Sequence, residues 1–323
     1  MSEQPEISTR IETGPHLAAV AAGYPSLDSI YHVSHLAAPG TTGIIQDRSD
    51  TRHWGGCAFN IAVGVARMGL PSGIIGTLGD DEDGRGYVRW LQENRVDSTA
   101  ITIQPGGTTP TSNLYYDPTG TSICYYWPGA AGQQGDAGAQ SALLARTDWL
   151  VLAVAPAGLT TRLLDMAEQQ NAGRAVHIAW SVKADAHSHP RKLVERLLSA
   201  SRLVFLNRDE LRFIGEATGR SSVEEILAAG PEMVVLTLGA QGSVVATRSE
   251  TVEVQAAPVK RVVDTTGSGD AYVSGFLAAL IRGATPKEAA MVGARNAAAV
   301  LEQVGSQAGL CTSEEQIWRQ TQL

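Results

Sequence analysis

The chain has few cysteines, and no apolar run long enough to cross a membrane. Its 323 residues include three cysteines, Cys57, Cys124 and Cys311, which are far apart and odd in number. This excludes a disulfide framework and any Cys-x-x-Cys motif, and favours a reducing cytoplasm. Glycine or charge interrupts every apolar stretch before the roughly 18 residues of a membrane helix, so we expect no membrane partner.

The sequence also lacks a run of basic residues. The formal net charge is −8 and the pI is about 5.4, so we expect no nucleic acid partner. The N-terminal stretch MSEQPEISTR is polar and lacks the apolar segment of a secretory signal. Hydrophobic residues make up 43% of the chain and charged residues 18%, a composition that predicts a globular protein with a core.

Short apolar strand patterns alternate with amphipathic helix patterns along most of the chain. This order predicts an α/β fold with a doubly wound, mainly parallel sheet flanked by helices. Two β-rich stretches, 28–50 and 108–127, interrupt the alternation and predict a small separate β lid. The predicted organisation is a flexible tail at 1–16, the lid, and a large nucleotide-binding domain formed by 17–27, 51–107 and 128–323.

The stretch VVDTTGSGDAYVSGFLAAL places a glycine-rich turn and an acid, Asp270, before an apolar helix. Free N–H groups and the helix dipole make such a helix start a site for anions. The turn has no lysine after Gly269, which excludes a Walker phosphate loop, and Tyr272 stands where a dinucleotide fingerprint needs glycine. Two interpretations remain: Asp270 is a base beside a bound phosphate, or an ordinary acid of a first helical turn.

Four motifs in order resemble the ribokinase-like (PfkB) carbohydrate kinases. DTTGSGDAYVSGF is similar to their C-terminal signature, and GGCAFNIAVGVARMG to their N-terminal signature. NRDE matches their N-x-x-E motif, and LTLGAQGSVV matches their T-x-G-x-x-G strand and turn. The resemblance runs from about residue 17 to 310. It implies a kinase that uses ATP and Mg²⁺.

The resemblance implies roles for the glycine-rich turn. Asp270 would be the catalytic base that deprotonates the substrate hydroxyl. The N–H groups of Gly267, Ser268 and Gly269 would form the hole for the transferring phosphoryl group. Ser268 stands where alanine is commonest in the family.

The same resemblance implies a substrate site near the N-terminal signature. Asp28, Gly55, Gly56 and Asn60 would bind substrate hydroxyls. A carboxylate and an amide that converge on neighbouring hydroxyls suit a sugar or a ribose. The alternative for Asp28 is a turn residue.

Metal sites are implied at two places. Asn207 and Glu210 would organise Mg²⁺, through water, because Mg²⁺ keeps part of its hydration shell. The alternative is a helix cap, since Asn at the N-cap and Glu three residues later form a capping pair. Asp264 and Thr265 resemble positions near a monovalent cation such as K⁺, and helix capping is the alternative for Thr265.

The nucleotide would lie along the T-x-G-x-x-G motif. Thr237, Gly239 and Gly242 would line it. Asn296 is predicted either to approach the adenine or to be a solvated helix residue.

One segment departs from the family pattern. Many relatives carry an Asp-x-Asn-x-Arg-like segment after a strand of the large domain. Here the region reads IAWSVKADAHSHP, with Ser181, Lys183 and Asp185 in its place. The resemblance therefore does not define how this loop meets substrate and nucleotide.

The function that the resemblance implies first is phosphorylation of a sugar hydroxyl by ATP. A nucleoside kinase of the same family is the alternative, and a non-catalytic sugar- or nucleotide-binding protein is the alternative from another class. Relatives form dimers through their lids, so we predict a homodimer here. The apolar lid residues expected to need cover are Ile30, Val33, Leu114, Tyr116 and Ile123.

Overall fold

The computed structural model describes residues 14–133, 135–170 and 175–312. The predicted tail over 1–16 lies outside these residues except at 14–16. The stretch 313–323, which the sequence assigns to the large domain, lies outside them as well.

A nine-stranded sheet forms the centre of the described chain. Its strands follow the order β14-β13-β12-β11-β10-β9-β1-β5-β6, parallel from β12 to β6 and antiparallel at β13 and β14. The first strand, LAAVAA, is buried along its whole length, as a parallel strand covered on both faces must be. The strands are β1 (Leu17–Ala22), β5 (Ser72–Gly79), β6 (Val96–Gln104), β9 (Thr147–Leu152), β10 (His177–Ser181), β11 (Leu203–Asn207), β12 (Met233–Thr237), β13 (Ser243–Thr247) and β14 (Thr251–Val254).

Helices cover both faces of this sheet and create two separate apolar cores. One core contains residues of α1, α2, α8 and α9, and the other contains residues of α3 to α7. The predicted doubly wound α/β fold is therefore confirmed. The helices are α1 (Cys57–Arg67), α2 (Glu82–Glu93), α3 (Ala137–Leu144), α4 (Ala157–Gln170), α5 (Arg191–Ala200), α6 (Arg208–Thr218), α7 (Val223–Ala228), α8 (Ser268–Ile281) and α9 (Pro286–Leu301).

A second, five-stranded sheet is built from two insertions, one after β1 and one after β6. Its strands are β2 (Ser26–Val33), β3 (Ile45–Arg48), β4 (His53–Gly55), β7 (Thr111–Tyr116) and β8 (Ser122–Trp127). β2 pairs with β7 in parallel and with β3 and β4 in antiparallel fashion. The predicted small β lid is present, and it includes β4, which falls in the range predicted for the large domain.

The faces of the lid differ from the prediction. Ile30, Val33 and Tyr116 are buried, so the expectation that they need cover was wrong. Leu114 is partly buried. On β8, Ile123 faces solvent as predicted, with 38% exposure, and Tyr125 and Trp127 are 64% and 60% exposed. We call these three residues the outer lid face.

Helices α1 and α8 pack against each other, and glycine permits the close approach. A Cβ at Gly64 of α1 would overlap the Oγ of Ser274 on α8. One turn earlier on each helix, Asn60 meets Asp270. The packing therefore brings the two family signatures together at the starts of their helices.

Among the described residues, no helix combines the length and the apolar character that a membrane crossing requires.

Candidate active site

Asp270 lies in the first turn of α8. The helix starts after Gly267, whose backbone has the left-handed conformation that favours glycine. Gly267 is the N-cap residue with φ 76°, and a Cβ there would overlap Ser306. No side chain caps this helix, and a Cβ at Gly269 would have no neighbour within 4 Å. The helix start therefore faces open space in which an anion can reach the backbone.

The carboxylate of Asp270 is enclosed and accepts one strong hydrogen bond. The Nδ2 of Asn60 donates to its Oδ2 at 2.8 Å. Burial raises the pKa of Asp270, while the Asn60 amide, the charge of Lys183 and the Cys57 thiol lower it. Burial is the largest of these effects, so the pKa of Asp270 is raised overall. The donors and the cation partly restore the ionised form that a general base requires.

Asn60 lies at the start of α1, and its amide makes hydrogen bonds inside the protein. It is buried, with 3% exposure, and its Oδ1 accepts bonds from Ser306 Oγ at 3.0 Å and Gln307 Nε2 at 2.8 Å. Both lone pairs of the carbonyl oxygen are thus used inside the protein. The side chain contacts Asp270, and a contact with substrate hydroxyls stays a prediction.

Asp28 lies on β2 beside the two glycines of the N-terminal signature. A Cβ at Gly55 would overlap the Asp28 carboxylate, and Gly56 has φ 94° with no room for a Cβ beside Tyr24. Both glycines are therefore required by the backbone. The carboxylate of Asp28 accepts a bond from Ser26 Oγ at 2.5 Å. Asp28 is a strand residue, so the alternative of a turn residue was wrong.

Burial raises the pKa of Asp28 to about 6. The charges of Asp270 and Asp264 add to this effect, and the Ser26 and Ser112 hydroxyls oppose it. Asp28 is therefore a desolvated carboxylate with spare acceptor capacity, which suits the binding of a hydroxyl group.

Asn207 and Glu210 form the capping box that the sequence left as an alternative. The Oδ1 of Asn207 accepts bonds from the N–H groups of Asp209 and Glu210, both at 2.9 Å. The Oε2 of Glu210 accepts from the Asn207 N–H at 2.8 Å. One carboxylate oxygen of Glu210 stays available, so its presence in the cap does not prevent a second role.

Burial also raises the pKa of Glu210, to about 7, with a smaller contribution from the charge of Asp270. A cation nearby would favour the ionised form, so this carboxylate fits a water-mediated Mg²⁺ contact. Within the described ranges, no group of three or more His, Cys, Asp or Glu side chains is placed to hold a metal ion by itself.

The residues predicted to line the nucleotide lie at the end of β12. Thr237 ends the strand, and its hydroxyl lies 3.4 Å from the Leu206 carbonyl oxygen. Gly239 and Gly242 have positive φ, and a Cβ at Gly242 would overlap the Val254 carbonyl oxygen. A Cβ at Gly239 would meet nothing within 4 Å. The turn thus leaves an open surface next to the capped start of α6.

Asn296 does not lie in that open surface, and its prediction needs correction. The side chain is fully buried between α8 and α9. Its Nδ2 donates to the Ala271 carbonyl oxygen at 2.8 Å and to Ser274 Oγ at 3.1 Å, and its Oδ1 accepts from the Cys311 N–H at 3.1 Å. The amide is therefore used within the fold, and the residue is neither solvated nor placed to approach an adenine.

The carboxylate of Asp264 joins two loops. Its Oδ1 accepts from the N–H and the hydroxyl of Thr266, and its Oδ2 accepts from the Gly305 N–H at 2.8 Å. Thr265 is exposed. These bonds account for the burial of Asp264 without a cation, and the K⁺ site stays a prediction.

The loop that departs from the family pattern brings a positive charge to this cluster. Lys183 follows β10, and its carbonyl oxygen accepts from the Asp185 N–H at 2.8 Å, so its backbone is held. Interactions with Cys57, Glu210 and Asp270 raise the pKa of Lys183, while burial acts in the opposite direction. Lys183 is exposed, and its charge acts on the carboxylates of Glu210 and Asp270.

Sequence reasoning missed the segment at 305–307. Ser306 and Gln307 are buried, and both contact Asn60. Trp90 of α2 donates to Gln307 Oε1 at 2.6 Å. No spacing rule connects these positions to the glycine-rich turn, and the sequence gives no local sign that Gln307 is buried.

Comparison with known proteins agrees with the fold. The sequence matches the pfkB family carbohydrate kinases over residues 25–313. The chain therefore belongs to this family. It is a kinase.

Two curated relatives illustrate the range of the family. The nucleoside kinase of Methanothermobacter thermautotrophicus is 27% identical over 302 residues, with 94% of this chain and 95% of the relative covered. The fructokinase of Salmonella typhimurium is 30% identical over 246 residues, with 72% and 79% covered.

Solved structures share the fold. The Methanocaldococcus jannaschii nucleoside kinase aligns with a TM-score of 0.79 at 22% identity, and the alignment covers 96% of this chain and 99% of that one. A Burkholderia thailandensis nucleoside kinase in complex with inosine aligns with a TM-score of 0.78 at 19% identity, covering 91% and 92%.

We predict that Asp28→Asn stabilises the folded protein at pH 8. The folded pKa of about 6 exceeds that of an unfolded aspartate, so ionisation of Asp28 costs folding free energy as pH rises from 4 through 6. The amide avoids this cost and can still accept the Ser26 bond. The free energy of unfolding, measured with urea, should increase by about 2–3 kcal/mol at pH 8 and by little at pH 4.

The control for this prediction is Asp47→Asn, an exposed aspartate on β3. Its effect should be small at both pH values. If Asp28→Asn has wild-type stability at pH 8, ionisation of the buried Asp28 carboxylate does not lower the free energy of unfolding, and the prediction is wrong.

Proposed function

We propose that the protein transfers the γ-phosphoryl group of ATP to a hydroxyl group of a sugar ring, with Asp270 as the general base. The observation that supports this most directly is the position of its carboxylate at the open, uncapped start of α8. A base and the N–H groups of the helix start can act there on the same reacting atoms. The Ser268 N–H also contacts the Thr265 carbonyl oxygen, at 3.3 Å.

The proposed reaction needs one proton transfer and one displacement. Asp270 takes the proton of the substrate hydroxyl, whose oxygen forms a bond to the γ-phosphorus while the bond to the β-phosphate oxygen breaks. The N–H groups of Gly267, Ser268 and Gly269 stabilise the negative charge on the transferring group. ADP and the phosphorylated sugar are the products.

Lys183 has a role in this proposal. Phosphoryl transfer brings a highly charged nucleotide next to Asp270 and Glu210, whose charges repel it. Lys183 is the cation that interacts with both carboxylates. We propose that it compensates this repulsion and stabilises the charge on the γ-phosphoryl oxygens.

ATP would lie along Thr237, Gly239 and Gly242, next to α6. Magnesium, when bound, neutralises triphosphate charge, and Glu210 would hold the ion through water. Asn207 would support Glu210 through their shared capping box. If Asp264 and Thr265 contribute to a monovalent cation site, turnover should be faster in K⁺ than in tetramethylammonium.

For the acceptor we propose a nucleoside. Tyr24 and Tyr126 form an aromatic pair with ring centroids 5.3 Å apart, and Tyr126 interacts electrostatically with Asp28. Such a pair offers an apolar surface for a base while Asp28 binds the ribose hydroxyls. The nucleoside kinase relative that covers 94% of this chain supports the same class. A free hexose is the second candidate, supported by the fructokinase relative at 30% identity.

We expect ADP release to depend on an added nucleoside. A coupled assay with purine and pyrimidine nucleosides, ribose and fructose should give its highest kcat/KM with a nucleoside. The aromatic pair provides binding free energy that a free sugar cannot use. Turnover with free sugars alone would favour the second candidate. Thermal stabilisation by these compounds without turnover would indicate the non-catalytic alternative.

Removal of the charge of Asp270 or of Lys183 should lower kcat. Asp270→Asn keeps the size of the side chain but cannot take a proton, and kcat should fall by about 10²–10⁴-fold. Lys183→Met keeps most of the side-chain length but not the charge, and kcat should fall by about 10²-fold. Calorimetric affinity for the substrate should change only a few-fold in Asp270→Asn, because the base acts on the transition state.

Matched controls for these variants are Asp209→Asn and Lys192→Met. Both are exposed residues near the same loops, and kcat should stay within about twofold of wild type. A folded Asp270→Asn variant with wild-type kcat would identify the residue as a helix cap. A fully active Lys183→Met variant would remove the role of that lysine alone.

We also propose a homodimer formed through the outer lid face. Ile123, Tyr125 and Trp127 are exposed on one side of β8, and Tyr115 contacts Tyr125 with centroids 6.1 Å apart. Exposed apolar side chains that lie next to one another on a sheet are typical of an interface. The same face of a second copy presents the same aromatic side chains, so two copies can cover each other about a twofold axis.

Light scattering at micromolar concentration should therefore give the mass of a dimer. The double substitution Tyr125→Ser and Trp127→Ser should give a monomer, because it removes most of the apolar area. Ile103→Ser, at a residue with 39% exposure on β6 of the main sheet, is the control and should leave the dimer intact. A wild-type monomer at every micromolar concentration would contradict the proposal.

A further inference from the structure

Asp270 receives its hydrogen bond from an amide whose orientation is set by other residues. An asparagine amide has a donor end and an acceptor end of similar shape, and only its partners decide which end faces a carboxylate. The Asn60 carbonyl oxygen lies between Ser306 and Gln307, and its NH₂ group faces Asp270. If the amide rotated by 180°, an oxygen would face the carboxylate and repel it.

Ser306 cannot determine this orientation by itself. Its hydroxyl lies 3.0 Å from both the Asn60 oxygen and the Trp54 carbonyl oxygen. A hydroxyl can donate to one neighbour and accept from another, so it would tolerate either end of the amide. The orientation of the Asn60 amide is therefore set by Gln307.

Gln307 is oriented at both of its ends. Trp90 Nε1, which can only donate, lies 2.6 Å from Gln307 Oε1. The hydroxyl of Tyr87 donates to the Gly55 carbonyl oxygen and therefore accepts from Gln307 Nε2, at 3.5 Å. These two hydrogen bonds orient the NH₂ group of Gln307 towards Asn60.

We propose that Trp90, Gln307 and Asn60 form a directional hydrogen-bond relay that holds Asp270 as an acceptor, and that Gln307 is a positioning residue for phosphoryl transfer. Each member donates towards the carboxylate, from the indole N–H at the periphery to the Asn60 amide. The bond at Oδ2 leaves the other carboxylate oxygen for the substrate proton. The inference rests on the proposed role of Asp270 as the base.

Other titratable groups interact with Asp270, and they define what the relay adds. The neutral Cys57 thiol of α1, through a hydrogen bond, and the charge of Lys183 after β10 favour the ionised form. The carboxylates of Asp28 on β2 and Glu210 on α6 interact with Asp270 as like charges. Removal of the Asn60 donor should therefore raise the pKa of Asp270, so that a higher pH is needed to ionise the base.

The test compares pH profiles of kcat for two variants. Gln307→Glu keeps the shape of the side chain but replaces the donor by an acceptor when ionised, which turns the Asn60 amide around. Trp90→Phe keeps most of the ring and removes the first donor. We expect kcat to fall by about tenfold and about threefold, respectively. The midpoint of the acidic limb of the kcat profile should move to a pH that is higher by about half a unit or more. The KM for ATP should stay within about threefold of the wild-type value.

A control separates the relay from support of the loop. Arg67 Nη1 donates to the backbone carbonyl oxygen of Gln307 at 2.6 Å, and its guanidinium lies 5.6 Å from the centroid of the Trp90 ring. Arg67→Met therefore loosens the same segment and the packing of Trp90, but it removes no hydrogen-bond donor of the relay. It should lower the melting temperature and leave the acidic limb in place. If Gln307→Glu does not fold, the pH profile of kcat for Trp90→Phe tests the proposal by itself.

Two results would overturn the relay. One is an acidic limb at the wild-type pH in the kcat profiles of folded Trp90→Phe and Gln307→Glu. The other is a shift of this limb in Arg67→Met that equals the shift in the two relay variants. Failure of the base itself is distinguishable, because then Asp270→Asn keeps its kcat. Loss of activity in Asp270→Asn with an unchanged limb in the relay variants would refute the relay alone.

Discussion

The hydrogen bond between Asn60 and Asp270 connects the two helix starts on which the site depends. α1 begins beside the glycines that accommodate Asp28, and α8 begins beside the glycine-rich turn. Gly64 lets the two helices approach, so the proposed substrate side and the proposed phosphoryl side are held by one pair of packed helices. A geometry held by packed helices is more precise than one held by loops alone.

The site concentrates carboxylates in a poorly solvated place. Burial raises the pKa of Asp28, Glu210 and Asp270, and Lys183 is the cation among them. Desolvated carboxylates destabilise a folded protein in the absence of ligand. Such a cost is typical of sites selected for binding and catalysis, where a hydroxyl group or a cation later satisfies the charge.

Much of the fold follows from local patterns in the chain. Buried strands such as β1 read as continuous apolar runs, and the alternation with helices predicts a parallel sheet. The capping box of Asn207 and Glu210 follows from a three-residue spacing that a helix brings together by itself. The glycine-rich turn before α8 is equally local, because one residue in a left-handed conformation and one apolar helix define it.

The sequence by itself therefore determined the doubly wound sheet, the small lid sheet and the placement of Asp270 at a helix start. Tertiary structure alone decided which lid residues face solvent, because alternation assigns side chains to two faces without saying which face is covered. It also decided that Asn296 is buried and that Gln307 orients Asn60. Asn60 and Asp270 are 210 positions apart, and no helical or strand period relates residues at such a distance. Their contact exists only because α1 and α8 pack on the same face of one sheet.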